Sequence, residues 1–217
     1  MNSYLMKIIL LGDSFTGKTN LLNIYIKNEP PNYNVVNLPT IGVDFGTKEI
    51  STNDLTKVKI QCWDTAGQES YRTIIRGYHR NTGGIILFFN LTRYDSFNNL
   101  KDWLNEIKTY TTCDHEHPIL LLGTHQDAHD KRVIKKIDAI NFAEQHNLLY
   151  YELNTFDYDS IDRMFKCYIG KVLNKIKDTD CKGIRQLNTK EKNILSIERE
   201  SKIKIRETDD KTCCIIS

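Results

Sequence analysis

No apolar run in this chain approaches the roughly 18 residues that a membrane-spanning helix needs. The longest candidate, residues 85–89, stops at Asn90, so any membrane contact is expected to come through an anchor. The N-terminus offers only residues 8–11 as an apolar stretch, without the long hydrophobic segment and small-residue cleavage site of a secretion signal. Net charge is also scarce: 30 Lys and Arg stand against 28 Asp and Glu, a formal +2. No basic face is concentrated in the body of the chain, so nucleic-acid binding has no electrostatic footprint. The six cysteines, Cys62, Cys113, Cys167, Cys181, Cys213 and Cys214, do not resemble a disulfide framework, and a reducing cytosol is the expected setting.

The 217 residues, 40% hydrophobic and 27% charged, suffice for one compact domain with a tail. This composition excludes disordered, collagen-like and membrane-spanning classes. Strand-like apolar runs alternate with stretches of helical period. A strand over 6–11 and a helix from about 18 to 28 begin a βαβ pattern. Residues 44–50 and 58–63 flank the turn-rich 51–54 and read as an antiparallel hairpin. Short runs at 85–89, 119–122 and 149–153 read as buried parallel strands, separated by helices near 96–110, 136–146 and 160–177. In the last helix Ile161, Phe165, Tyr168, Ile169, Val172 and Ile176 recur at helical spacing. The expected fold is therefore α/β over residues 1–177. From 178 to 217 the period fades and charges of both signs mix, which reads as a flexible tail. Its lysines and arginines at 182–206 are interleaved with glutamates, so a solvated linker and a weak polybasic patch both remain open.

Gly12-Asp13-Ser14-Phe15-Thr16-Gly17-Lys18-Thr19 fits G-x-x-x-x-G-K-[ST] where a strand ends and a helix begins. Such a loop turns backbone N–H groups toward phosphates, and the helix N-terminus adds positive potential. Lys18 would meet the β- and γ-phosphates and Thr19 would ligate Mg²⁺. Ser14, Phe15, Thr16, Gly17 and Asn20 complete the candidate phosphate set. A chance glycine turn before an ordinary helix is the bland alternative, and the motif names neither base nor reaction.

Two further segments, Thr40-Ile41-Gly42-Val43-Asp44-Phe45 and Trp63-Asp64-Thr65-Ala66-Gly67-Gln68-Glu69, resemble the Rab GTPases of the Ras superfamily. The resemblance runs in order over about residues 5–177. It implies a P-loop NTPase fold, a six-stranded, mostly parallel sheet with five helices on both faces. It implies GTP and GDP as ligands with Mg²⁺, held by Thr19, by Thr40 in the first switch loop and by Asp64 through water. Gly67 would offer its N–H to the γ-phosphate, and Gln68 would be catalytic by orienting the attacking water. Hydrolysis by such a site alone is slow. Phe45, Trp63 and Tyr78 match an aromatic triad that binds effectors, with core packing as the bland reading. The implied partners are an exchange factor, a GTPase-activating protein, effectors and a prenyl-binding escort protein, with no nucleic acid.

The base site departs from the family pattern. The family's Asn-Lys-x-Asp appears as Thr124-His125-Gln126-Asp127, and its Ser-Ala-Lys as Asn154-Thr155-Phe156. Asp127 can still accept from the guanine N1–H and exocyclic amine. Thr124 is too short for every contact of an asparagine, His125 and Phe156 can cover the base where lysine stems would lie, and Thr155 can keep a backbone contact. The family's base-stacking phenylalanine falls by direct count at Pro30, and the longer loop makes Tyr33 a second candidate. Phe15 is bulky beside the phosphates. Weakened guanine binding is expected, with a degenerate, membrane-bound binding module as the alternative function. A P-loop metabolic kinase is a third class, opposed by the Asp-Thr-Ala-Gly-Gln segment.

Cys113, His115, His117, His125 and His129 fit no common zinc spacing. Asn90-Leu91-Thr92 matches a glycosylation acceptor but follows a buried strand. The terminal Cys213-Cys214-Ile215-Ile216-Ser217 fits both a double-cysteine and a C-a-a-X prenylation signal, farnesyl or geranylgeranyl, and two chains would anchor stably where one is marginal. The expected location is the cytoplasmic face of an intracellular membrane, with a soluble cytosolic pool, and the expected role is vesicle traffic.

Overall fold

Strand β1 (Ser3–Gly12) carries apolar side chains on both of its faces, which places it inside the sheet rather than at an edge. Met6, Ile8 and Leu10 enter one apolar cluster, while Ile9 and Leu11 enter another on the opposite side. Their alternation is the period of two that a strand imposes. The computed structural model describes residues 3–31, 40, 42–52, 55–65, 77, 82–110, 118–176 and 183–187.

After β1 the chain forms helix α1 (Lys18–Leu21), which widens into one turn of π-helix over Leu22–Ile26. The Lys27 N–H donates to the Leu22 carbonyl at 3.0 Å, five residues back. The hairpin β2 (Val43–Ser51) and β3 (Lys57–Thr65) follows, antiparallel throughout and turned where Leu55 has φ 59°. Then come β4 (Gly84–Asn90), α2 (Tyr94–Asn98), α3 (Leu100–Tyr110), β5 (Ile119–Thr124), α4 (Lys136–Gln145), β6 (Leu149–Glu152), α5 (Tyr158–Ile176) and β7 (Ile184–Gln186). The helix expected at 96–110 is thus two helices interrupted at Asn99.

The sheet order is β2-β3-β1-β4-β5-β6, with every neighbouring pair parallel except the hairpin. One face is covered by α1, the π-turn and α5. There Leu21, Tyr25, Ile161, Phe165 and Ile169 pack on Ile86, Phe88 and Leu120. The other face is covered by α3 and α4 through Leu100, Trp103, Ile107 and Phe142. Each such apolar side chain stabilises the fold by about 1.5–3 kcal/mol. Tyr168 ties the layers together. Its hydroxyl accepts from the Ile85 N–H at 2.7 Å and donates to the Pro118 carbonyl at 2.7 Å, so one α5 side chain fixes the starts of β4 and β5.

Two observations depart from expectation. The range 178–217, expected as a flexible tail, contains β7, which pairs antiparallel with the first half of β1. A three-residue strand containing Arg185 and Gln186 carries too little apolar period to be read from sequence. Cys167 on α5 is disulfide-bonded, whereas the cysteines did not resemble a disulfide framework and a reducing cytosol was the expected setting; Cys62 is a free, buried thiol.

Candidate functional site

The phosphate loop opens where β1 ends. Gly17 stands as N-cap of α1 in the left-handed region, φ 88°, where a side chain would be strained. A Cβ there would also come within 2.9 Å of the Thr155 methyl, so the phosphate loop and the second base loop touch at this position. Phe15 adopts φ 64° without being glycine and is 49% exposed. That is a strained, outward-facing aromatic, a conformation costing on the order of 1–3 kcal/mol.

Lys18 is buried, and its Nζ donates to the carbonyls of Gly12 and Asp13, both at 2.7 Å. Burial lowers its pKa to about 8, against the opposing pull of Asp64 and Asp13. Thr16 Oγ1 donates to the Asp13 carbonyl at 2.8 Å. Ser14 and Phe15 present their carbonyls to Arg93 and Asn90, each at 3.5 Å, and Asn20 stands half-buried on the first turn of α1.

A chain of oxygens lies beside Lys18. Thr19 Oγ1 donates to Asp64 Oδ2 at 2.6 Å and lies 2.8 Å from Thr40 Oγ1. Since Thr19 has one hydroxyl proton and gives it to the carboxylate, Thr40 must be the donor in the second contact. Asp64 Oδ1 is buried and has no hydrogen-bond partner among the described residues. Burial raises the Asp64 pKa, and Lys18 and the Thr19 hydrogen bond oppose that shift. Two hydroxyls and a buried carboxylate with an open oxygen are the donor set a hard divalent cation takes.

The base loops come from the ends of β5 and β6. Thr124 is fully buried, and its hydroxyl bonds inward to the carbonyls of Thr16, at 2.9 Å, and Phe89, at 3.1 Å. It therefore braces the phosphate loop and has no spare proton to give to a base. His125, at φ 63°, places Nδ1 3.0 Å from Thr124 Oγ1. Its pKa is lowered by burial, with Asp127 raising and Arg93 lowering it. Asp127 is exposed at the tip of the loop, and Thr155 is buried against Gly17. Asn154 Oδ1 accepts from the Phe156 N–H at 2.9 Å, which shapes the second loop.

Phe45 and Trp63 are cross-strand partners with ring centroids 4.7 Å apart, Phe45 exposed and Trp63 half-buried. Tyr33, Gly67, Gln68, Tyr78, Cys113, His115, His117, Cys213 and Cys214 lie outside the described residues. Among the described residues no helix is long and apolar enough to cross a membrane.

Sequence reasoning missed three supports of this site. Asp13 accepts from Asn99 Nδ2 and Trp103 Nε1, both at 2.8 Å, which clamps the phosphate loop to the start of α3. Glu152 takes a bidentate pair from Arg132, at 2.6 and 2.9 Å, and a bond from Tyr150, which joins the two base loops. Lys48 donates to the Tyr25 carbonyl, Asn28 and Tyr158 while lying over both tyrosine rings, which pins β2 to the π-turn and α5. An indole and an acid more than eighty residues apart give no local signal. An Arg on a loop and a Glu at the end of a strand, twenty residues apart, give none either.

The Ras family profile matches residues 7–174. Among similar proteins, the Ras-related protein RABA1c of Arabidopsis thaliana is 36% identical over 162 residues, 75% of this chain and 72% of that protein. The Ras-related protein Rab11B of Nicotiana tabacum is 36% identical over 179 residues, 82% of this chain and 78% of that one. The Ras-related protein Rab-2B of Dictyostelium discoideum is 35% identical over 175 residues, 80% and 83%. With the phosphate loop, the Thr19–Asp64 contact and the sheet order all in place, the chain belongs to the Ras family and is a Rab-like small GTPase, a guanine-nucleotide-binding GTP hydrolase.

Proposed function

We propose that this GTPase cycles between GDP and GTP states to recruit effectors in vesicle traffic, on the cytoplasmic face of an intracellular membrane and with a cytosolic pool. The observation that carries this reading is the contact of Thr40 with Thr19, whose hydroxyl in turn bonds Asp64, because it joins the first switch segment to the phosphate loop at the point where a third phosphate arrives. Lys18 exchanges its two backbone carbonyls for phosphate oxygens. Thr19 and Thr40, with Asp64 through water, would hold Mg²⁺, which would supply positive charge to the phosphates. Gly67 donates to the γ-phosphate, and Gln68 orients the attacking water. Phe45, Trp63 and Tyr78 form the effector surface, and an exchange factor and a GTPase-activating protein set the rates. Prenyl groups on Cys213 and Cys214, delivered by an escort protein, supply the anchor.

A second reading is favoured by Thr124, whose hydroxyl is spent inside the protein: a switch with weakened guanine selectivity that serves as a membrane-bound binding module. Calorimetric titration of nucleotide-stripped protein with GDP, GTP and ATP in Mg²⁺ separates the two. Tight binding of guanine nucleotides alone supports the working switch, and micromolar or unselective binding supports the module. Lys18→Ala abolishes binding, while Gln68→Leu slows hydrolysis with binding retained. Unchanged turnover in Gln68→Leu contradicts the role given to that side chain.

A further inference from the structure

β4 joins β1 only from Ile8 onward, opposite Gly84, so on that side the first half of β1 would present an open row of backbone donors and acceptors. β7 fills the row, in the register Met6↔Ile184, Leu5↔Arg185, Tyr4↔Gln186. The Lys7 N–H donates to the Gly183 carbonyl at 3.1 Å and the Leu187 N–H to the Ser3 carbonyl at 2.7 Å, while the Gly83 N–H donates to the Lys7 carbonyl at 2.8 Å. Leu187 is buried and Ile184 packs against the larger apolar cluster. At Gly183 backbone lies directly on backbone. A Cβ there would stand 2.1 Å from the Thr82 carbonyl carbon and 2.2 Å from the Gly83 nitrogen, and Thr82 is itself fully buried.

Because β7 runs antiparallel to β1, the chain leaves Leu187 beside Ser3, at the end of the sheet opposite Gly12 and the phosphate loop. β1 is 10 residues long, so the two ends lie roughly 30 Å apart. We propose that residues 183–187 are a docking strand that fastens the C-terminal tail to the G domain and fixes the pole from which it departs, turning the nucleotide site away from any surface that holds Cys213 and Cys214. Only this last step rests on the lipid-anchor reading; the docking does not.

Hydrogen–deuterium exchange of the full-length protein tests the docking. Peptides over 183–187 and 3–7 exchange at least ~100-fold slower than free chain, and Gly183→Val accelerates both together while leaving GDP affinity unchanged. Free-chain exchange at 183–187 in the wild type overturns the proposal, as does undiminished protection at 3–7 in Gly183→Val. Leu187→Asp provides a second variant that leaves the Thr82–Gly83 contact intact; it loosens 183–187 and the residues facing it, and protection equal to wild type counts against docking. On vesicles carrying the prenylated protein, energy transfer from fluorescent GDP to a bilayer acceptor is weaker in the wild type than in Gly183→Val. Equal transfer overturns the fixed pole, and failure of the prenylated protein to bind vesicles overturns the anchor reading instead.

Discussion

Gly17 and Thr155 belong to different loops and meet at a distance that admits no methyl group, so the coupling between them can be measured. Gly17→Ala places a Cβ 2.9 Å from the Thr155 methyl and in a left-handed backbone, a combined cost of about 2–4 kcal/mol. Thr155→Ala in the same chain removes the collision but not the backbone strain. Denaturant unfolding of the four variants in the double-mutant cycle should therefore return an interaction term on the order of 1 kcal/mol, with the double variant still less stable than Thr155→Ala alone. Thr124 permits a different test, on the ligand. Guanine offers N7 and O6 as acceptors, and the Thr124 hydroxyl, whose single proton is held between the Thr16 and Phe89 carbonyls, has nothing to give them. GDP and its 7-deaza analogue should accordingly bind within about twofold of one another by calorimetry. Thr124→Val should weaken both equally by about 1–2 kcal/mol, through the lost brace on the phosphate loop.

Elements meet at this site through side chains that do not contact the expected ligand positions. The clamp from α3 onto the phosphate loop runs through Asp13, and Trp103→Phe would leave Asp13 Oδ1 without its indole donor. A loss of about 1–3 kcal/mol is expected, with nucleotide release accelerated, as stopped-flow displacement of a fluorescent GDP would report. Between the base loops, burial raises the Glu152 carboxyl, but the hydrogen bonds from Arg132 and Tyr150 outweigh it and hold the group below its ordinary value. A depressed carboxylate contributes stability above its unfolded pKa and loses it as pH falls through the folded one. Glu152→Gln should thus be about 1–2 kcal/mol less stable at pH 7, and the gap should narrow as the pH falls below the ordinary glutamate pKa of about 4.3; a gap independent of pH would mean that packing rather than charge is at stake. β1, β4 and β5 were legible in the sequence because strands buried on both faces leave unbroken apolar runs, and α5 because its stripe persists for nineteen residues. The π-turn at Leu22–Ile26 was not, since its side chains satisfy a helical period equally well, and β7 was not because its partner lies far away in sequence. In the site, the phosphate loop and Asp64 were legible as contiguous motifs. The clamp and the Arg132–Glu152 pair exist only after folding.

Taken together, the site draws on β1, α1, the Thr40 segment, β3, β5 and β6, which hang on both apolar clusters, so a ligand that bridges these loops should stabilise the whole domain rather than one face. A ligand that binds only the folded state adds RT ln(1 + [L]/Kd), about 2.7 kcal/mol at a hundredfold excess over Kd. For a domain of this size that corresponds to roughly 5–10 °C in Tm. GDP with Mg²⁺ should therefore shift the scanning-calorimetry transition by that amount as one peak, and ADP should not. Lys18→Ala separates binding from folding in the same experiment. Lys18 is a buried ammonium whose Nζ donates to two carbonyls among the described residues, and burial brings its pKa down to about 8. Removing it relieves that desolvation at the cost of a small cavity. The variant without nucleotide should then melt within about 2 °C of the wild type, while its response to GDP disappears. If instead Lys18→Ala melted far below the nucleotide-free wild type, Lys18 would be a structural strut of the phosphate loop, and its lost nucleotide binding could no longer be attributed to a missing phosphate contact.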